Sequence, residues 1–366
     1  MIQKAYRGKR VLITGHTGFK GAWLSQWLLD LGAEVAGFSV DIPSNPSLFE
    51  VIGLEKRMRH KMGDIRDFES TLKFIQEFKP QAVFHLAAQS LVRPSYDDPK
   101  ATFDVNVAGT VNVLEAVRRT PSVEACVVVT SDKCYENVEW EFGYRETDPL
   151  GGKDPYSASQ GAAEIVLHSY ARSFFNKPGV TQITSGRAGN VIVGVDWATD
   201  RIVPDCVRAW SKKEKMTMRN PDATRPWQLV LEPLSGYLTL GANLLLGKTD
   251  QVSGQSFNFG PGVDSNLKVL RLVEEFQKTW DQANYEIKRD ETSGKKEAKL
   301  LFLNCDRSFQ RLGWKSILTF PETVTMTAQW YQQYYEKASA QQMLDLTKQQ
   351  IQKYMTLARE RGQEWT

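Results

Sequence analysis

Three glycines spaced three residues apart, Gly15, Gly18 and Gly21, stand between an apolar run and an amphipathic one. The run Val11–Thr14 reads as a strand. Beyond the glycines, Leu24, Trp27, Leu28 and Leu31 fall at i, i+3, i+4 and i+7, the spacing of one helix face. A glycine triplet that follows a strand and opens a helix is the first turn of a βαβ unit shaped to hold a dinucleotide. Gly15 permits the tight turn, Gly18 lets the backbone approach a pyrophosphate, and Gly21 lets the helix pack on the strand. The helix N-terminus then presents free N–H groups and the positive end of its dipole to the phosphates.

The rest of the first half continues this rhythm. Val35–Val40, Ala82–Leu86 and Ala125–Thr130 read as strands. They are too uniformly apolar for one-sided strands, so a parallel sheet buried on both faces is expected. Phe103, Val107, Val111 and Leu114 mark another helix. The alternation predicts right-handed crossovers and a doubly wound α/β Rossmann sheet. After about residue 185 the rhythm breaks and prolines cluster at Pro204, Pro221, Pro226 and Pro233. We therefore expect a dinucleotide-binding domain over residues 1–185, with a segment at about 225–260 returning to it. Residues 186–366 should form mainly a smaller α/β substrate-binding region. The charged stretch Lys288–Lys299 reads as a solvated surface segment, and the chain from about Ala338 as a polar surface helix.

Asp41 closes the second strand. A carboxylate there accepts from the adenosine ribose hydroxyls and repels a 2′-phosphate, which favours NAD over NADP; as a turn residue before Pro43 it would need no such role. Asp64 stands either where an acceptor meets the adenine amino group or at a helix N-terminus. The balance of 46 basic and 43 acidic residues, a net charge of +3, gives no reason to expect nucleic acid or an anionic membrane as partner. Cys126, Cys134, Cys206 and Cys305 form no CxxC pair, so no metal site or disulfide scaffold is indicated. No apolar run reaches the ~18–20 residues of a membrane span, and no signal-peptide pattern precedes the first strand. A cytoplasmic protein is expected.

The segments GHTGFKG, HLAAQ, TSDKCY, DPYSAS, RAGNVI, RPWQLVLEPLSGY and FNFGP occur in an order that resembles the CDP-glucose 4,6-dehydratases, a branch of the extended short-chain dehydrogenase/reductases. The resemblance extends to about residue 335. It implies a redox-neutral lyase that converts a CDP-hexose to a 4-keto-6-deoxy sugar through transient reduction of NAD. Tyr156 would be the C4 base, with Ser131 hydrogen-bonding the reacting hydroxyl. Asp132 would be the acid for water loss and Lys133 the C5 base. Phe19, Ile65, Leu86, Ala87 and Ala88 would line the cofactor together with the three glycines, Asp41 and Asp64. Asn190, Arg201 and Arg225 would hold the nucleotide-sugar diphosphate, with Arg187 in the same pocket; arginine suits a diphosphate through its bidentate donors. Trp227 would either stack on a base or pack in the core. Relatives pair along two long helices, here about Ala101–Arg119 and Tyr156–Arg172, so a homodimer or homotetramer is implied.

The chain departs from that pattern at Gln160, one turn after Tyr156, where the resemblance implies lysine. The lysine charge lowers the tyrosine pKa from its ordinary value of about 10, and its ammonium bonds the nicotinamide ribose. Glutamine keeps a hydrogen bond but not the charge. If positions 133 and 160 share a pocket, the loss also makes Lys133 a poorer base. Two alternatives therefore stand beside full dehydratase turnover. One is partial or altered chemistry on the same fold; the other is a nucleotide-sugar-binding homologue with little turnover. A smaller departure is the run Val193–Gly194–Val195, where the resemblance implies glycines.

Overall fold

The computed structural model describes residues 1–175, 177, 179–197, 201–288 and 300–366. Of the charged stretch, all but Lys288 lies outside the described residues. Seven parallel strands form the central sheet: β1 (Arg10–Thr14), β2 (Glu34–Ser39), β3 (Arg59–Met62), β4 (Ala82–His85), β5 (Ala125–Ser131), β6 (Gln182–Ala188) and β7 (Ser256–Phe259). Their order is 3-2-1-4-5-6-7. Alternate residues serve opposite faces. Leu12, Val83, Cys126 and Val128 pack with Phe74 and Val113 on one side. Val11, Ile13, Phe84 and Val127 pack with Trp23, Trp27 and Tyr237 on the other. Burial on both sides is what a parallel sheet requires.

Helix α1 (Phe19–Asp30) buries Leu24, Trp27 and Leu28, as the periodicity predicts. The second helical pattern is reshaped. Helices Pro99–Phe103 and Gly109–Arg118 are joined by a π-type turn, Asp104–Ala108. The wider turn shifts the buried face, so Thr102, Asn106, Val113 and Val117 point inward and Phe103 is left exposed. Asn106 uses that position. It donates to the Gln89 carbonyl at 3.0 Å and to Ser159 Oγ at 2.8 Å, and accepts from the Gln89 N–H at 2.8 Å.

The long helix α2 (Pro155–Phe174) crosses to β6, and α3 (Leu231–Leu245) lies almost wholly buried under β5 and β6. The remaining elements include three two-stranded pairs: Val191–Ile192 with Gln228–Leu229, Thr224–Pro226 with Asn266–Lys268, and Met216–Met218 with Tyr285–Ile287. The C-terminal helix Ala340–Glu360 is more buried than its polarity suggests. Met343, Thr347, Ile351, Tyr354 and Ala358 form its inward face, and Tyr354 donates to buried Glu232 at 2.7 Å. Among the described residues, no helix is long and apolar enough to cross a membrane.

Candidate active site

The glycine loop runs from the end of β1 into α1. Gly15 has φ +78°, and a side chain there would meet the Ala87 backbone N at 2.7 Å. A Cβ on Gly21 would stand 2.1 Å from the Gly15 carbonyl. Loop and helix touch backbone to backbone, so only glycine fits at either position. Gly18 is the N-cap of α1 and supplies no side-chain cap. The first N–H groups of the helix are thus left for an anion.

Around this loop, Thr17 Oγ1 donates to the Asp41 carbonyl at 2.6 Å, while the Asp41 side chain is exposed past β2. His16 is fully buried, with Ser39 Oγ at 2.8 Å and His60 Nδ1 at 2.9 Å. Burial, reinforced by His60, pushes its pKa down to about 3, so the ring is neutral. Asp64 accepts from Arg66 at 2.6 and 2.8 Å, and that contact holds its carboxyl below the usual range. The helix N-cap nearby is Asp67, not Asp64. Ile65 is buried against Gly109, which leaves only its backbone for a ligand. Leu86 and Ala87 are held over the loop by bonds to Thr14 at 3.0 and 3.3 Å, with Ala88 next in the chain.

The second group gathers at the carboxyl end of β5. Ser131 caps the turn Asp132–Cys134, accepting from the Lys133 N–H at 3.2 Å and donating to Asp132 Oδ1 at 2.9 Å. Asp132 is 4 % exposed. Burial raises its pKa against the opposing pull of Lys133, Ser131 and Lys20, which suits a proton donor. Gly189 makes room for it, since a Cβ there would lie 2.9 Å from Asp132 Oδ2.

Tyr156 enters from the N-terminus of α2. Asp154 caps that helix, accepting from the Ser157 N–H at 2.9 Å, and Pro155 occupies its first turn. The Tyr156 hydroxyl stands near Ser131, which favours its ionised form. Burial pushes its pKa up to about 12, with Asp132 and Asp154 adding to the rise, while Ser131 and Arg201 oppose it. Gln160 is buried one turn on.

Arg201 bonds Asp196 at 2.6 Å and lies 5.5 Å from the Phe19 ring centroid, over the cofactor loop. Beside it is Lys20, which sequence reasoning missed. Burial, with Arg201 adding, lowers Lys20 to about 8, and Asp132 opposes this. A cation in the first turn of a helix opposes the dipole; that was the available signal. Asn190 is exposed just past β6. Arg225 lies on the strand Thr224–Pro226, with Nη1 donating to the Thr224 carbonyl at 2.7 Å.

One expectation, for Arg187, needs correcting, while Trp227 follows its core-packing reading. Arg187 is fully buried, bonded to Glu164 at 2.8 Å and Tyr135 at 2.7 Å, so it belongs to the core. Trp227 is buried and donates to the Leu267 carbonyl at 3.0 Å. Val193 and Val195 are core residues, with Val195 at φ +91°, a strained conformation for a β-branched side chain.

The family profile of GDP-mannose 4,6 dehydratase matches residues 12–327. A CDP-glucose 4,6-dehydratase of Salmonella typhimurium is 44% identical over 97% of this chain and 99% of its own. A CDP-paratose 2-epimerase of Salmonella typhi is 27% identical over 72% and 82%. Among solved structures, a dTDP-glucose 4,6-dehydratase from Streptomyces venezuelae with NAD and TYD bound superimposes with a TM-score of 0.73, at 20% identity, over 90% of this chain and 98% of that one. The strand order, the glycine loop and the profile over most of the chain agree: this protein belongs to the GDP-mannose 4,6 dehydratase family.

Proposed function

We propose that this chain is an NAD-dependent lyase that converts CDP-glucose to CDP-4-keto-6-deoxyglucose. The observation that carries the reading is the meeting, at the carboxyl end of β5, of a buried tyrosine hydroxyl, a serine and a buried aspartate inclined to hold a proton. The similarity to the Salmonella CDP-glucose enzyme supplies the choice of sugar nucleotide.

The loop Gly15–Gly21 and the uncapped α1 N-terminus fit a pyrophosphate. Asp41 and Asp64 would face the adenosine, Phe19, Ile65, Leu86, Ala87 and Ala88 the rest of the dinucleotide, and Gln160 the nicotinamide ribose. Bound NAD supplies a hydride acceptor for C4 and the same hydride for C6. Tyr156 takes the C4 hydroxyl proton, with Ser131 holding the oxygen. The ketone so formed acidifies C5, whose proton passes to Lys133. Asp132 protonates the C6 hydroxyl, which leaves as water, and Lys133 returns its proton to C5. Asn190, Arg201 and Arg225 would bind the diphosphate.

Residues 1–185 with 225–260 would form the cofactor domain and the remainder the sugar-nucleotide region. The exposed side chains of Phe103, Ile165 and Phe174 would join two copies along their helices. Four unpaired cysteines accord with the cytoplasm.

A second reading, in which the cycle runs only in part, is favoured by the high Tyr156 pKa without a lysine at 160. NMR of purified protein given NAD and CDP-glucose decides. A 4-keto-6-deoxy product upholds the first reading, and a different sugar product upholds the second. Unchanged CDP-glucose in folded protein overturns both.

A further inference from the structure

The turn Asp132–Cys134 is pinned on both flanks, and both pins lead to one carboxylate. Thr130, the residue before Ser131, donates from Oγ1 to Glu164 Oε1 at 2.5 Å. Tyr135, the residue after Cys134, accepts at its hydroxyl from Arg187 Nη1 at 2.7 Å, and Arg187 Nη2 donates to Glu164 Oε2 at 2.8 Å. Glu164 lies on α2, about two turns beyond Tyr156. The helix that carries the tyrosine therefore grips the end of β5 just ahead of the acid–base turn and, through one arginine, the residue just behind it.

The grip is close and dry. Glu164 and Arg187 are fully buried, and Tyr135 is 1 % exposed. Charge-assisted bonds in such a setting are strong and directional. The Tyr135 ring lies beneath the Arg187 guanidinium, 5.0 Å from its centroid, and stacks on Tyr144 at 5.3 Å. Its hydroxyl also donates to Asn258 Oδ1 on β7 at 2.7 Å, and its own N–H closes the turn on the Asp132 carbonyl at 3.4 Å. Helix α2 meets the turn directly as well, since a Cβ on Gly161 would stand 3.1 Å from the Cys134 carbonyl.

We propose that Tyr135 is a positioning residue which, with Thr130 and the Glu164–Arg187 pair, sets Asp132 and Lys133 against Tyr156. The proposal rests on the dehydratase reading for its kinetic consequences. A misplacement of about 1 Å in such a constellation can cost ~10²-fold in rate. Loss of the Tyr135 hydroxyl frees the far side of the turn, while Ser131 and Tyr156 keep their own anchors. Oxidation at C4 then continues and the elimination served by Asp132 and Lys133 slows, so reduced nicotinamide accumulates during turnover. A residue that only stabilised the fold would change the amount of active protein and leave that reduced share as it was.

The test uses Tyr135→Phe, which keeps the ring, and Thr130→Val, which keeps the side-chain shape, with Thr130→Ser as the control that keeps a hydroxyl. Given CDP-glucose, NAD-loaded Tyr135→Phe should show kcat lowered about tenfold with KM changed less than about twofold. Its absorbance during turnover should show a several-fold larger share of reduced nicotinamide than wild type. Thr130→Val should lower kcat by a similar factor, and Thr130→Ser should recover most of that loss. In parallel, hydrogen exchange read by mass spectrometry, without sugar nucleotide, follows the turn itself. Amides of residues 131–136 should exchange about tenfold faster in Tyr135→Phe, with the buried helix α3 unchanged. The proposal is overturned by a kcat within about twofold of wild type in both hydroxyl-deletion variants, by a kcat loss in Tyr135→Phe with no larger reduced share, or by exchange that is unmoved or rises equally throughout the fold. If the wild-type protein leaves CDP-glucose unchanged, the dehydratase reading fails, and the exchange result alone decides whether Tyr135 positions the turn.

Discussion

Replacing Tyr156 with phenylalanine should lower kcat on CDP-glucose by about a thousandfold, within the ~10²–10⁴ that a positioned base contributes. The substitution keeps the ring, its burial and the Asp154 cap, and removes only the hydroxyl beside Ser131. Loss of one hydrogen bond costs stability about 1 kcal/mol, so the fold should survive. Steady-state kinetics beside a thermal melt separates the two effects. A loss of less than about tenfold in folded protein would mean that another group takes the C4 hydroxyl proton.

The largest expected effect on stability lies one layer deeper. Arg187→Met should destabilise the fold by about 3–5 kcal/mol, the usual cost of leaving one partner of a buried pair alone. The Glu164 carboxylate that remains is fully buried and gathers Thr130 at 2.5 Å, Ser185 at 2.9 Å and Ser256 at 2.8 Å. It thereby ties α2 to β5, β6 and β7. Burial alone would raise its pKa; Arg187, with these hydroxyls, outweighs burial and holds it below the ordinary value. The sign of the pH effect follows. A carboxyl depressed in the folded state contributes stability that is present above its unfolded pKa and lost as pH falls toward the folded value. Arg187→Met should remove that acid-side loss, so its deficit relative to wild type narrows below about pH 4. Urea denaturation at pH 7 and about pH 3 checks both statements. A cost under about 1 kcal/mol at pH 7 would show that the hydroxyls alone satisfy Glu164.

How far the sequence reveals this architecture depends on the range of each signal. The glycine loop and α1 are legible because turn, strand and helix are contiguous, and Leu24, Trp27 and Leu28 are all buried. Tyr156 and Ser131 lie 25 positions apart, yet a parallel sheet brings the end of β5 and the start of the next long helix to the same edge. Strand β3 is not legible. Arg59, His60 and Lys61 are polar, as an edge strand allows, so they carry no apolar strand pattern. Arg187 misleads for a related reason. A lone arginine on a strand resembles a ligand-binding residue, and its carboxylate partner sits on a helix 23 positions earlier, without local pattern. The π-type turn at Asp104–Ala108 leaves no mark on the hydrophobic periodicity except that Phe103 ends exposed.

The central claim is that the hydrogen removed from C4 is held and given back at C6 within one active site, with glutamine at 160. CDP-glucose deuterated at C4, incubated with the protein and NAD and followed by NMR, tests this most directly. The expected product is a 4-keto sugar with the deuterium in its C6 methyl group. Deuterium lost to solvent, or returned to C4 in an epimerised sugar, would contradict it.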